Sequence, residues 1–483
     1  MYLGIDIGTS SVKAVLITAD QHIVATASAH LAVERPRPGW SEQDPESWWV
    51  ACATVLDELR ATHTSEIAAV KGIGLSGQMH GATLLDDADR PLRPCILWND
   101  GRSEPEAAEL TAASERITGN IAMPGFTAPK LVWVARHEPE VFAKVRTVLL
   151  PKDYVRLKLT GEKASDMSDS AGTLWLATEK RDWSDEMLGL TGLDRSHMPR
   201  LFEGTEVTGT LRPALAERWG MSPATVVAGG GGDNAASGCG VGAVAPGTGF
   251  VSIGTSGVVF VCADHYRANP EGAVHAFCHA MPGTWHQMGV ALSAAGSLDW
   301  IAEVLGVAAG DLVAELGSLP DGPGAIRFLP YLSGERTPHN DATARGAFAG
   351  LDRAHGRQDL VQAVLEGVAF SLKDCLDVLT MPLREPPQLL AVGGGSRSRY
   401  WLALIATVFG LPVAVPEEGD FGAAFGAARL GLIAAERADP FEICTPPPIS
   451  EVVEPSAALR GAYADAYREF RRLYPAIKGA VSG

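Results

Sequence analysis

Two segments half a chain apart are built to one plan. Residues 3–17 carry an apolar run, the turn Gly8-Thr9-Ser10-Ser11 and a second apolar run; residues 249–261 (GFVSIGTSGVVFV) repeat that order around the same Ile-Gly-Thr-Ser. Short apolar runs flanking a small-residue turn read as strand–turn–strand units. Their recurrence at this distance calls for two related lobes rather than one core. The copies differ at one chemical position: Asp6 in the first is Ser252 in the second.

Other strands end in polar or glycine-rich turns. Residues 70–75 run into Gly77-Gln78-Met79-His80-Gly81, residues 224–228 into four glycines and Asp233, and residues 389–392 into Gly393-Gly394-Gly395-Ser396. Between them lie helical periods over 45–59, 359–379 and 456–474, with Asp359 at the start of the second. Strands alternating with helices give an α/β class with layered sheets. The Gly/Pro-rich stretch at 243–249 sets the expected division, 1–245 and 246–483.

Composition narrows the function. The chain has 483 residues, is 46% hydrophobic and carries a formal charge of −17, which opposes nucleic acid and anionic membrane surfaces. No apolar stretch approaches the roughly 20 residues of a membrane helix. Residues 1–10 lack the basic start of a signal peptide. Seven scattered cysteines without a CxxC pair point to reduced thiols and a cytoplasmic protein.

Three glycine-rich turns after strands can present backbone N–H groups to an anion. Alone, each is ordinary turn chemistry; together they favour nucleotide phosphate. GxxxxGK[ST] is absent, and residues 4–11 do not supply GxGxxG. Asp6 amid apolar neighbours suits a carboxylate near Mg²⁺ and phosphates, held through water. Lys13 just beyond the turn can reach a phosphate. Asp233, at a strand end on a backbone without side chains, is placed to take a proton from a hydroxyl. Residues 77–81 suit a polyhydroxy ligand, with Trp98-Asn99-Asp100 and Arg102 as a second polar-aromatic cluster. Residues 333–339 (SGERTPH) read as a structural hydrogen-bond network.

These motifs resemble the FGGY family of carbohydrate kinases, and within it the bacterial xylulokinases. One family signature is matched by residues 125–133 (GFTAPKLVW), the other by 346–351 followed by 359–366; GQMHGATLLD, LLPKDY, SDMSDSAGTLW and FLPYLSGERTPHN carry the resemblance over most of the chain. The resemblance implies two lobes of actin/hexokinase-like (ribonuclease H-like) ATPase fold around a central cleft, with sugar on the first and ATP on the second. It implies Asp233 as catalytic base on the 5-hydroxyl of D-xylulose, and Asp6 as the acidic residue tied to Mg²⁺. Gln78, Met79, His80, Trp98 and Asn234 become sugar contacts. Thr9, Ser10, Ser11, Lys13, Gly254, Thr255, Ser256, Gly394, Gly395 and Ser396 become the ATP side. Dimers occur in the family, so a homodimer is among the assemblies implied. Two alternatives stay open: a kinase for ribulose or L-xylulose, and an actin-like ATPase switch that phosphorylates no sugar. The family has three glycines before the base, where this chain has four.

Overall fold

The computed structural model describes residues 1–417 and 421–481. The two related units fold as the sequence repeat requires. In the first, β1 (Tyr2–Ile7) and β2 (Ser11–Ile17) form an antiparallel hairpin with Asp6 opposite Lys13. The sheet is completed by β3 (Ile23–His30), β4 (Gly72–Gly77), β5 (Val207–Thr210), β6 (Val226–Ala228) and β7 (Gly231–Gly232). Its order is β5-β6-β4-β1-β2-β3, with β7 also paired to β4.

The second sheet uses β8 (Gly249–Ile253), β9 (Gly257–Ala263), β10 (His275–Cys278), β11 (Trp285–Ala291), β12 (Leu389–Val392), β13 (Val413–Pro416) and β14 (Ile449–Val453). Its order is β10-β11-β9-β8-β12-β13-β14. Each hairpin therefore has one parallel partner, β4 beside β1 and β12 beside β8. Parallel neighbours bring their carboxyl ends to one edge, where open α/β sheets bind ligands.

Helices cover the sheets for the expected reason: one apolar stripe each. In α1 (Pro45–Thr62), Trp48, Cys52, Val55, Leu56 and Leu59 are buried, and the Asp44 side chain caps the start through Glu46 N. The helices that build the site are α2 (Pro151–Thr160), α3 (Met167–Ala171) and α4 (Asp233–Val241). In the second unit α5 (Arg357–Asp377) begins two residues before the expected start, because Asp359 accepts from Gly356 N as a capping side chain rather than opening the helix.

The helix α6 (Ala423–Glu436) departs from a simple division of the chain. It comes from the second half but lies on the first sheet, pressed so close that a methyl at Gly74 would sit 1.8 Å from Ala427 O and one at Gly4 1.8 Å from Ala424 O. Its other side meets α4, where a methyl on Gly426 would lie 1.8 Å from Ala236 O. The last helix, α7 (Arg460–Val481), returns to the second core through Tyr463, Ala466 and Phe470. It begins and ends later than the periodicity indicates. All seven cysteines are free and buried. Among the described residues no helix is long and apolar enough to cross a membrane.

Candidate active site

Parallel pairing gathers the acidic residues. Asp6 on β1 lies opposite Ser76 on β4, and Gly231 of β7 lies opposite the same Ser76, so Asp233 leaves the sheet beside Asp6. The Asp233 Oδ1 accepts from Asn234 N at 2.7 Å and from Asn234 Nδ2 at 2.8 Å. This occupies one carboxylate oxygen and leaves Oδ2 to take a proton. Burial, then the neighbouring Asp6 charge, push the Asp233 carboxyl up to about 7, against the pull of the Asn234 bonds. That value suits a base working near neutral pH.

Asp6 is also pushed up by burial, with the Ser76 hydroxyl and the Lys13 ammonium drawing it back. Its buried Oδ1 has no hydrogen-bond partner among the described residues. An orphaned carboxylate oxygen beside a second carboxylate fits a hard divalent cation. Among the described residues no three His, Cys, Asp or Glu side chains are grouped to cage a metal. The arrangement therefore suits an ion that keeps waters and substrate oxygens, as Mg²⁺ does.

Two of the residues expected to contact sugar form one connected set around Thr9. Gln78 donates from Nε2 to Gln43 Oε1 at 2.8 Å and accepts from Thr9 Oγ1 at 3.0 Å; Trp98 Nε1 donates to that same Thr9 hydroxyl at 3.0 Å. Gln43 holds the Thr9 carbonyl at 2.7 Å. The side chain of Thr9 thus belongs to this network, and only its backbone is left for phosphate. Gln43, fully buried, escaped the sequence reading because nothing in SEQD distinguishes it from a polar loop.

His80 sits at φ 70°, a left-handed conformation that points its ring inward. It is 8% exposed, packs on Phe126 at 4.4 Å between centroids, and places Nδ1 2.7 Å from Gly172 O. A carbonyl only accepts, so Nδ1 carries the proton and Nε2 is left as an acceptor. Burial drives the imidazole well below its ordinary pKa, so the ring is neutral. Its own carbonyl receives Lys130 Nζ at 2.8 Å and Thr127 Oγ1 at 3.1 Å. A lysine inside an otherwise apolar helical stretch was the available signal for Lys130. Met79 packs against the glycine before the base: a methyl at Gly232 would lie 2.9 Å from its sulfur.

The loop 333–339 divides its labour. Glu335 accepts from Leu292 N, Arg336 N and Ser371 Oγ, and Thr337 Oγ1 donates to Ala273 O, which is the structural network read from the sequence. Arg336 does something else. It reaches the neighbourhood of His80 and His275, and its Nη2 would lie 3.9 Å from a methyl at Gly125. The second half of the chain thereby puts a guanidinium near His80. The Asp100 carboxylate accepts from Arg102 and from Ser41 N, so these two members of the second cluster are structural, whereas Trp98 joins the Thr9 network.

A cleft of about 1260 Å³ opens beside this set. Gly393, Gly394 and Ser396 line it, together with Ser252 and Ser237. Gly394 faces open space, whereas Gly395 abuts the Ile253 side chain. Gly254, Thr255 and Ser256 stand behind: a methyl on Gly393, at φ 91°, would lie 3.1 Å from Gly254 N, so the two turns touch. The carbonyls of Gly254 and Thr255 are taken by Ala295 N and Ala294 N. Ser10 accepts from Leu31 N through its carbonyl, and Gly8 N closes the first turn on Ser11 O. The volume exceeds that of ordinary small-ligand pockets and accommodates a nucleotide. Asp233 and Ser237 lie one turn apart on α4, so one helix spans from the acidic pair to the cleft.

The chain matches two family profiles, FGGY family of carbohydrate kinases, N-terminal domain, over residues 1–240, and the C-terminal domain of the same family over residues 249–435. It is 50% identical over 487 residues to a xylulose kinase of Klebsiella pneumoniae, covering 100% of both chains. It is 49% identical to a xylulose kinase of Escherichia coli strain K12, covering 98% of each. The crystal structure of a xyloylose kinase from Brucella ovis superposes with a TM-score of 0.96 at 59% identity, over 99% of both chains.

Proposed function

The chain belongs to the FGGY family of carbohydrate kinases, and on that premise we propose that it transfers the γ-phosphoryl group of ATP to the 5-hydroxyl of D-xylulose. The observation that carries the reading is the carboxyl of Asp233, raised to about 7, on the helix that leads into the nucleotide-sized cleft. A base and a phosphate site on one rigid element are what an in-line transfer needs.

In this reading Asp233 Oδ2 takes the proton of the 5-hydroxyl. The freed oxygen forms the new bond to the γ-phosphorus, and the bond to the ADP oxygen breaks. Asn234 holds the carboxylate so that its free oxygen faces the hydroxyl. Gln78, Met79, His80 and Trp98 orient the sugar, with Arg336 contributing from the other half. Backbone donors of residues 9–11, with Lys13, face the transferred phosphate, while Gly254 to Ser256 and Gly394 to Ser396 hold the rest of the nucleotide. Asp6 would hold Mg²⁺ through water, and the ion would neutralise charge on the phosphates. Closure of the halves over sugar would exclude water from the phosphorus.

The test is ADP release with Mg-ATP, alone and with D-xylulose, L-xylulose, D- and L-ribulose and glycerol. Strong stimulation by D-xylulose supports the reading; stimulation by another polyol replaces the substrate; sugar-independent release sinks the kinase chemistry.

Two further results are expected. His80→Ala should raise the sugar KM about tenfold, the worth of one hydrogen bond, and leave the ATP KM unchanged. Equal losses for both substrates would instead indicate general damage. Because the base must be ionised in the free enzyme, kcat/KM for the sugar should fall as pH drops through about 7. A rate flat down to pH 5 would exclude this carboxyl as the base.

A further inference from the structure

The four glycines before Asp233 have no side chains with which to hold their own conformation, yet the base must be held to a fraction of an ångström. Backbone bonds from Gly229 N and Gly230 N and the pairing of β7 with β4 hold part of the run, and a buried charged cluster grips its two ends. Lys152, Asp153 and Arg156 on α2, with Asp166 and Asp169 at the start of α3, are all fully buried. Lys152 Nζ lies 2.6 Å from Asp153, 2.7 Å from Asp166 and 3.1 Å from Asp169. Arg156 donates to Ala228 O and to Gly229 O, both at 2.5 Å. Gly232 N donates to Ser168 Oγ at 3.1 Å, and that hydroxyl donates to Asp166 Oδ2 at 2.5 Å.

The glycine run is thus gripped at its entrance by Arg156 and at its exit by Ser168. The other end of α3 is Gly172, whose carbonyl fixes the His80 ring. A short helix of five residues therefore joins the sugar side to the base, with Asp166 capping its start through Ser168 N and Asp169 N.

Stability alone does not explain such a cluster. Desolvating buried charges costs about as much as their pairing returns, and apolar side chains of similar volume stabilise as well or better. An apolar core could not donate to the Ala228 and Gly229 carbonyls or accept from Gly232 N. Three carboxylates against two cations also leave one negative charge over. Burial, against the pull of the Lys152 ammonium, holds the Asp169 carboxyl well above the usual carboxylate range, the direction that offsets this excess.

We propose that Lys152, Arg156, Asp166 and Ser168 are positioning residues that set the Asp233 carboxylate and the His80 ring relative to each other. The proposal rests on the reading of Asp233 as the base. Its test uses Ser168→Ala, which removes one hydroxyl, and Arg156→Lys, which keeps the charge and loses the paired grip. Both should lower kcat at least tenfold, with the ATP KM within twofold and the unfolding midpoint of Ser168→Ala near that of the native chain. Ser168→Thr, which restores a hydroxyl, should recover part of the loss. On an Asp233→Asn background, Ser168→Ala should cost little more, because the group being positioned is already gone.

Native-like kcat in both single variants would overturn the proposal, as would a loss that only tracks the folded fraction. If Ser168→Ala does not fold, Arg156→Lys decides. Full activity of Asp233→Asn would remove the base reading itself, an outcome separable from a silent Ser168→Ala.

Discussion

Asp233→Asn should lower sugar-dependent ATP turnover by about 10³–10⁴-fold, in the upper part of the range for loss of a positioned base, while ATP still binds. The substitution keeps shape and removes the proton acceptor, so kcat falls and substrate KM values stay close to native. The same variant should be more stable than the native chain above pH 7. The sign follows from linkage. The folded carboxyl is raised from its ordinary value to about 7, so the native state favours the protonated form. Stability associated with that proton is complete below the unfolded value near 4 and is lost as pH rises through 7. Asparagine never ionises, so it avoids that loss. Thermal unfolding at pH 8 in metal-free buffer reads the effect directly. A variant both inactive and less stable would point to disrupted packing rather than lost proton transfer.

Gly74→Val should cost about 3 kcal/mol or more and sharply reduce the yield of folded protein. A methyl there would lie 1.8 Å from Ala427 O, and the obstructing atom is helix backbone, which cannot rotate away as a side chain can. Gly4, Gly72 and Gly74 form one flat track for α6, with closest approaches of 1.8, 2.2 and 1.8 Å for the methyls they lack. Denaturant unfolding of Gly74→Ala and Gly74→Val gives the comparison. A loss below 1 kcal/mol for valine would mean that the helix can lift off the sheet at little cost. Displacement of α6 would carry α4 with it, because the two helices meet at Gly426, so surviving protein should also be catalytically impaired.

Much of the fold could be read without coordinates. Alternating strands and helices gave the class, and the Ile-Gly-Thr-Ser repeat gave two sheets with the same hairpin and parallel partner. Asp6 stood out as a charge in an apolar strand. Its Oδ1 is buried and has no hydrogen-bond partner among the described residues, in keeping with that oddity. Gln78 and His80, with Met79 between them, were visible as an amide and an imidazole flanked by glycines. The long amphipathic helix was visible too, misplaced at its start only because a carboxylate capping from inside the first turn resembles one that opens it.

Other parts depend on contacts between distant residues. Gln43 meets Gln78 across 35 positions, and Arg156 meets Gly229 across 73. Neither pairing has any local pattern, because hydrogen-bond partners share space rather than periodicity. Arg336 looked like one more member of a polar loop until folding set it beside His80.

The chain's own order of residues determined the two lobes, the strand ends that present glycine and acid, and the residue types able to hold phosphate and move a proton. These are local properties, encoded in periods of two and 3.6 residues and in the chemistry of single side chains. Tertiary structure alone decided that α6 crosses to the first sheet, that Thr9 joins the sugar-side network, and that Asp6 and Asp233 share one buried edge. Burial, with the Asp6 charge added to it, raises Asp233 to about 7, and both depend on distance and packing, which sequence order does not contain.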